Sequence, residues 1–244
     1  MKSRQESPDL QRAYNRPRVV PQETGVGGRV RELSLADRGP SASLHGEGGT
    51  VVVLGHGAGG NRRNPMLLAL AEALAASGRA ALLYNFPYSE AGSRRPDPPA
   101  LLEATTRAAA ALALEASGAK RIVHGGRSMG GRIASQVVAA GERTDGLAFF
   151  GYPLHPPGQF EKRREAHLPK IEAPMLFLQG TRDTFAREDL LDALIERLGP
   201  RVELHRVQHA DHSFGVLKRS GRTSREVQDE VIAALLGWLD RNGL

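Results

Sequence analysis

Cysteine is absent from all 244 residues. That removes disulfides, thiolate metal sites and a cysteine nucleophile together, and it fits a reducing compartment. Long apolar runs are missing too. No window is apolar for long enough to span a bilayer. The opening stretch MKSRQESPDLQRAYNRPRVV carries charge without the apolar segment of a secretory leader. A cytoplasmic location without membrane insertion is expected. Aromatics are scarce, at 5% with a single tryptophan. Lysine and arginine exceed the acids 33 to 27, giving a net charge of +6. The arginines are scattered, and no basic block is interleaved with aromatics, so no nucleic-acid partner is expected. No histidine or carboxylate cluster has metal-ligand spacing, so neither a metal nor a cofactor is expected.

What is present is enough for one sizeable core, since hydrophobic residues make up 40% of the chain. Residues 1–27 lack periodicity and mix charge with proline and glycine. They read as a mobile N-terminal tail before a single domain at 28–244. Residues 28–50 hold candidates for one or two short edge strands, GRVRELSL and SASLHGE. From Val51 a strand–helix alternation begins. The strand candidates are Val51–Leu54, Ala80–Asn85, Arg121–His124, Leu147–Phe150, Pro174–Gln179 and Val202–Val207. Short apolar runs of this kind suit a parallel sheet buried on both faces. Asn64-Pro65 and Asp97-Pro98 each place a cap before a first-turn proline. Thr223 and Glu226 have capping-box spacing. Gly78, Gly118 and Gly199 follow helical runs, where a left-handed residue is wanted. The pattern predicts an α/β fold with a doubly wound, mostly parallel sheet, helices on both faces and no large cap domain.

The turn HGGRSMGG follows the Arg121–His124 strand. It contains Gly126-Arg127-Ser128-Met129-Gly130, a G-x-S-x-G match that ends a strand and opens a helix. That context is the one a nucleophile elbow requires. Ser128 would stand above a helix N-terminus, where the dipole and the Met129 N–H favour negative charge. An ordinary glycine-rich turn with a capping serine is the plain alternative.

A serine nucleophile needs a base, and the base needs an orienting carboxylate. In this fold they follow in the order serine, acid, histidine, each after a later strand. GTRDTF supplies Asp183, and QHADHSF supplies His209 and His212. His212 lies further into its loop and is preferred as base, with His209 as the alternative. Asp211 could replace Asp183, but adjacency to His212 gives poor imidazole geometry.

The first glycine turn, VVVLGHGAGG, poses a choice between a phosphate loop and an oxyanion loop. It lacks the Lys-Ser/Thr ending of a Walker loop. The third glycine of a dinucleotide fingerprint comes one position early. An oxyanion hole fits better, with the N–H of Ala58 joining that of Met129 and Gly59 as neighbour. His56 reads as a structural loop residue.

GHGAGG, NFPY, GGRSMGGRIAS, GYPLHPPG, LPKIEAPMLFLQGTRD and DHSF together resemble a branch of the α/β-hydrolase superfamily. That branch is a bacterial group of dienelactone-hydrolase-like proteins. It also includes testis-expressed protein 30 and the α/β-hydrolase-like subunit of the non-specific lethal chromatin complex. The resemblance runs from about Val51 to the C-terminus. It implies a triad of Ser128, Asp183 and His212 with an oxyanion hole near Ala58 and Met129. It implies no substrate, and the thiol nucleophile of dienelactone hydrolases proper is absent.

Two functions remain in view. One is a cofactor-independent serine hydrolase acting on a small carboxylic ester or thioester. The other is an interaction or scaffold module on the same fold, which should have lost at least one triad member. The stretch Tyr152–Lys170 is too short for a full helical cap, so an open site is expected. Arg62, Arg63, Arg94, Arg95, Arg127 and Arg182 fall on loops expected at the strand C-terminal ends. Arg94 and Arg95 are candidates for binding an anionic group of the substrate; solvated arginines are the plain alternative.

Overall fold

The computed structural model describes residues 18–23, 30–36 and 39–244. Its centre is strand β4 (Thr50–Gly55), buried along its whole length. Side chains alternate across it. Val52 and Leu54 join one apolar cluster and Val51 and Val53 another on the opposite face. This two-sided burial explains why the strand reads as an unbroken apolar run.

Nine strands among the described residues form one sheet, in the order β1-β2-β3-β5-β4-β6-β7-β8-β9. The parallel part consists of β4, β5 (Ala80–Tyr84), β6 (Arg121–Arg127), β7 (Gly146–Phe150), β8 (Met175–Gly180) and β9 (Val202–Val207). Strands β1 (Arg18–Glu23), β2 (Val30–Ser34) and β3 (Ser41–His45) add an antiparallel wing beside β5.

Helices α1 (Pro65–Ala76) and α6 (Ser224–Arg241) cover one face, where Leu67, Leu70, Val231 and Trp238 fill the core. Between β5 and β6 come the short α2 (Pro87–Glu90) and α3 (Pro99–Ser117). Helix α3, α4 (Met129–Ala139) and α5 (Glu188–Leu198) cover the other face. No described helix is long and apolar enough to cross a membrane.

The chain moves outward from β4 to β5, then crosses back over β4 to β6. Strand order reverses there, and the loops after β4 and β6 open side by side. Ligands of open α/β sheets bind at such a switch point.

Local signals set the helix ends. Asn64 Oδ1 accepts from the amides of Met66 and Leu67, and Pro65 opens α1. Thr223 and Glu226 form a complete capping box on α6. Gly118 ends α3 in the left-handed conformation.

Four expectations need correction. Asp97 does not cap α3. That helix starts at Pro99 with Pro98 as its cap residue, and the Asp97 carboxylate accepts from the Tyr88 amide instead. Gly199 ends α5 with positive φ but extended ψ, outside the left-handed helical region. Strand β6 runs past His124 to Arg127, because Gly125 and Gly126 continue the ladder to β7. The tail expected at 1–27 contains β1, which pairs antiparallel with β2; residues 1–17 and 24–29 lie outside the described residues.

Candidate active site

Register brings the two glycine turns together, since Gly55 of β4 lies opposite Gly126 of β6. Ser128 is the one residue between the end of β6 and the start of α4. Its backbone sits at φ 50° and ψ −114°, a conformation costing on the order of 1–3 kcal/mol. The surroundings hold it there. Ser128 N donates to the Phe150 carbonyl at 3.0 Å, and its own carbonyl accepts from Arg132 N at 3.1 Å. A Cβ at Gly126 would lie 2.3 Å from the Gly55 oxygen, and one at Gly130 would lie 2.2 Å from the same atom. The β4 backbone passes against the turn, so both positions must lack a side chain.

Three loops bring three side chains into line. His212 Nε2 lies 2.8 Å from Ser128 Oγ, and Nδ1 lies 2.7 Å from Asp183 Oδ2. An ionised carboxylate only accepts, so Nδ1 carries the proton and Nε2 is free to accept from the serine hydroxyl. The Asp183 side chain is fully buried. A buried charge needs its lone pairs filled. Oδ1 accepts from Phe185 N at 2.8 Å, and Oδ2 also accepts from Gln179 Nε2. Gln179 is itself held, its Oε1 accepting from Tyr152 N at 2.9 Å. The Phe185 ring stacks on the His212 imidazole with centroids 4.2 Å apart.

The other acid–base candidates lie elsewhere. His209 is exposed at φ 65°, with its amide on Thr181 Oγ1 and its carbonyl accepting from Arg182. Asp211 holds its own turn, with Oδ1 accepting from the amides of Ser213 and Gly215.

The loop after β4 is braced from beneath. His56 Nδ1 donates to the Gly57 carbonyl at 2.9 Å, and Nε2 accepts from Phe86 N at 3.2 Å. Burial lowers its pKa and keeps it neutral. With both nitrogens engaged, His56 is a strut. The Tyr88 hydroxyl bridges the Gly57 carbonyl and the Gly59 amide. The Gly60 amide turns back to the Gly57 carbonyl. Among the described residues the Ala58 N–H has no protein acceptor. Met129 is the first residue of α4, where a helix leaves amides unpaired.

The arginines divide. Arg62 is buried and ion-paired to Glu32 at 2.6 Å, away from any ligand role. Arg127 lies beside Ser128 and donates to Ser213 Oγ at 2.7 Å. Arg94 is exposed and lies against Gly59. Arg63 and Arg95 are exposed, and no contact brings Arg95 to the loop.

Sequence reasoning missed Gln179, Phe185, Tyr88 and Gly151. Gln179 did leave a signal, as a polar residue ending a buried apolar strand. Gly151 left none, because its role is to leave room for His212; a Cβ there would lie 3.1 Å from the His212 carbonyl.

Comparison with known proteins agrees with this architecture. The chain is similar in fold to a dienelactone hydrolase from Anabaena variabilis, with TM-score 0.62, 20% identity, and 92% of this chain and 98% of that one covered. It is similar to an α/β serine hydrolase homologue from Coxiella burnetii, with TM-score 0.64, 19% identity, and 91% and 97% covered. It also resembles an α/β serine hydrolase without a lid from Xanthomonas campestris, with TM-score 0.63, 17% identity, and 89% and 97% covered. A family model described as an alpha/beta hydrolase domain matches residues 48–240, which take in the whole parallel sheet and every loop just described, and the chain belongs to that family.

Proposed function

We propose that the protein is a serine hydrolase that cleaves a small carboxylic ester or thioester through an acyl-enzyme. One observation carries the reading: the unbroken relay from Ser128 Oγ through His212 to the buried Asp183, at 2.8 and 2.7 Å, on loops from three strands. An interaction module would need none of these side chains aligned.

Ser128 Oγ attacks the carbonyl carbon while its proton passes to His212 Nε2. The Asp183 carboxylate stabilises the imidazolium and fixes the ring's tautomer. The tetrahedral oxyanion is received by the N–H groups of Ala58 and Met129, at the positive end of α4. On collapse, the C–O or C–S bond breaks and His212 protonates the leaving group. Water, deprotonated by the same imidazole, then attacks the acyl-serine and releases the acid. No α-helix lies between β7 and β8, so the mouth of the site is open and small or flexible substrates suit it. The likeness to a dienelactone hydrolase supports the narrower, dienelactone-hydrolase-like placement.

Turnover of a short acyl ester such as para-nitrophenyl acetate tests the reading. Wild type should hydrolyse it, and Ser128→Ala should lose roughly 10³-fold or more in kcat, because triad members act as a unit. Wild-type turnover by folded Ser128→Ala would overturn it.

A further inference from the structure

The stretch GYPLHPPG (Gly151 to Gly158) follows β7 and supplies no side chain to the relay, yet it is firmly held. Tyr152 N donates to Gln179 Oε1, and the Tyr152 hydroxyl donates to the Arg164 carbonyl at 2.7 Å. The Leu154 carbonyl accepts from Arg164 N at 2.9 Å. Next comes His155, which is fully buried and has no part in the chemistry above. Pro156 disfavours helical backbone at this position. Three hydrogen bonds run from His155. Its N–H donates to the Phe185 carbonyl at 3.0 Å, its Nε2 accepts from Arg187 N at 2.9 Å, and its Nδ1 donates to the Pro156 carbonyl at 2.9 Å. An amide only donates and a carbonyl only accepts, so the Nδ1–H tautomer satisfies both ring partners. The half-exposed Phe160 lies edge-on to the imidazole, centroids 5.1 Å apart, with the Arg187 guanidinium 4.5 Å from its own ring. What His155 holds is informative. Phe185 bonds Asp183 Oδ1 through its amide at 2.8 Å and stacks its ring on His212 at 4.2 Å. Acid and base are thus both referenced to one residue, whose carbonyl is fixed by His155.

We infer that His155 is a positioning residue for the relay: it clamps the Asp183–Arg187 turn at Phe185 and Arg187, and through Phe185 it sets the Asp183–His212 pair in register with Ser128. The inference rests on the hydrolase reading for its effect on turnover, but not for the clamp itself. Acylation and deacylation both pass through His212, so a loosened clamp slows both. A displacement of about 1 Å at reacting groups costs up to about 10²-fold in rate. A histidine that only stiffened its own loop would predict a loss of stability and nothing more.

Two amide variants separate the roles. Gln can set its Oε1 near the Nε2 position and accept from Arg187 N. Asn can donate near the Nδ1 position but is too short to reach that amide. With para-nitrophenyl acetate, under conditions where every variant is folded, His155→Asn should lose roughly 10- to 100-fold in kcat. His155→Gln should recover most of that loss. Leu194→Ala, a cavity in α5 away from the clamp, is the stability control and should keep kcat within about threefold. A second readout needs no turnover. The His212 Nδ1 proton, in a short bond to a carboxylate, should give a far-downfield proton resonance, assigned by its loss in His212→Ala. It should persist in His155→Gln and Leu194→Ala, and weaken or vanish in His155→Asn. If the substitutions at 155 leave no folded protein, Phe160→Ala, at an exposed position, takes their place; it uncovers the clamp and should weaken the resonance and lower kcat. Wild-type kcat and an intact resonance in His155→Asn (or in Phe160→Ala) would overturn the inference, as would losses in Asn and Gln variants that only follow their unfolding midpoints. A resonance that depends on His155, in a protein that turns over no ester, would keep the clamp and remove the hydrolase reading. Turnover indifferent to His155→Asn would do the reverse.

Discussion

Ser128 holds a strained backbone conformation that the residues around it enforce, and the cost of removing that enforcement can be measured. Gly126 stands at φ 145°, and a Cβ there would lie 2.3 Å from the Gly55 oxygen. Backbone cannot yield as a flexible side chain can. Gly126→Ala should therefore cost about 1–3 kcal/mol in urea unfolding, with an ester rate lost beyond what stability explains. An unchanged midpoint would show that β4 and β6 separate easily. The two histidines of the β9 loop give a sharper contrast. His212 touches both Ser128 and Asp183, whereas His209 points its ring at no hydrogen-bond partner among the described residues. His212→Ala should lose roughly 10³-fold or more in kcat, and His209→Ala should stay within about threefold, as an exposed substitution away from reacting atoms does. The opposite ranking would move the base to His209.

Elements set these residues in place, and most of the elements could be read from composition. Strands β4, β5, β7 and β8 were legible because burial on both faces makes each a short, largely apolar run between turn residues. The capping box of α6 was legible because Thr223 and Glu226 interact locally. Asp97 was misleading because a distant amide, that of Tyr88, competes for its carboxylate. Strand β1 was missed because it is an edge strand carrying charge and proline, with little apolar signal. Gln179 and Phe185 escaped because their roles exist only once β8 and the β9 loop meet. Thr223→Ala should cost α6 about 1 kcal/mol by thermal or chemical unfolding; no shift would mean that packing of the buried Val227 and Val231 alone fixes the start of the helix.

Strand β6 carries a pH-dependent liability as well. His124 is fully buried, with Nδ1 on Thr144 Oγ1 at 3.2 Å and Nε2 without a partner. Burial pushes its pKa from the usual 6.5 down to about 4, with nearby Asp145 acting in the opposite direction. Between those two values the unfolded chain binds the proton and the folded one does not. Stability therefore falls as pH drops from about 6.5 toward about 4, by about 2–3 kcal/mol at pH ~4.5 for this group. His124→Asn keeps a polar atom near Thr144 but cannot be protonated, so its unfolding free energy should fall less over the same range. Parallel pH curves for the two proteins would contradict this.

At the scale of the whole molecule, one sheet does the assembling. Reversal of strand order at β4 sets the loop after β4 beside the Ser128 turn. Further along, β8 and β9 carry Asp183 and His212 back over Ser128. No α-helix between β7 and β8 closes over the result. The central claim is that this assembly makes Ser128 a nucleophile, and an active-site-directed phosphonylating reagent tests it most directly. Purified protein would be treated with a fluorophosphonate and read by intact mass and peptide mapping. The account predicts one adduct, on Ser128, formed by wild type and lost in both Ser128→Ala and His212→Ala. A folded wild-type protein that takes no label, or one labelled on another residue, would contradict it.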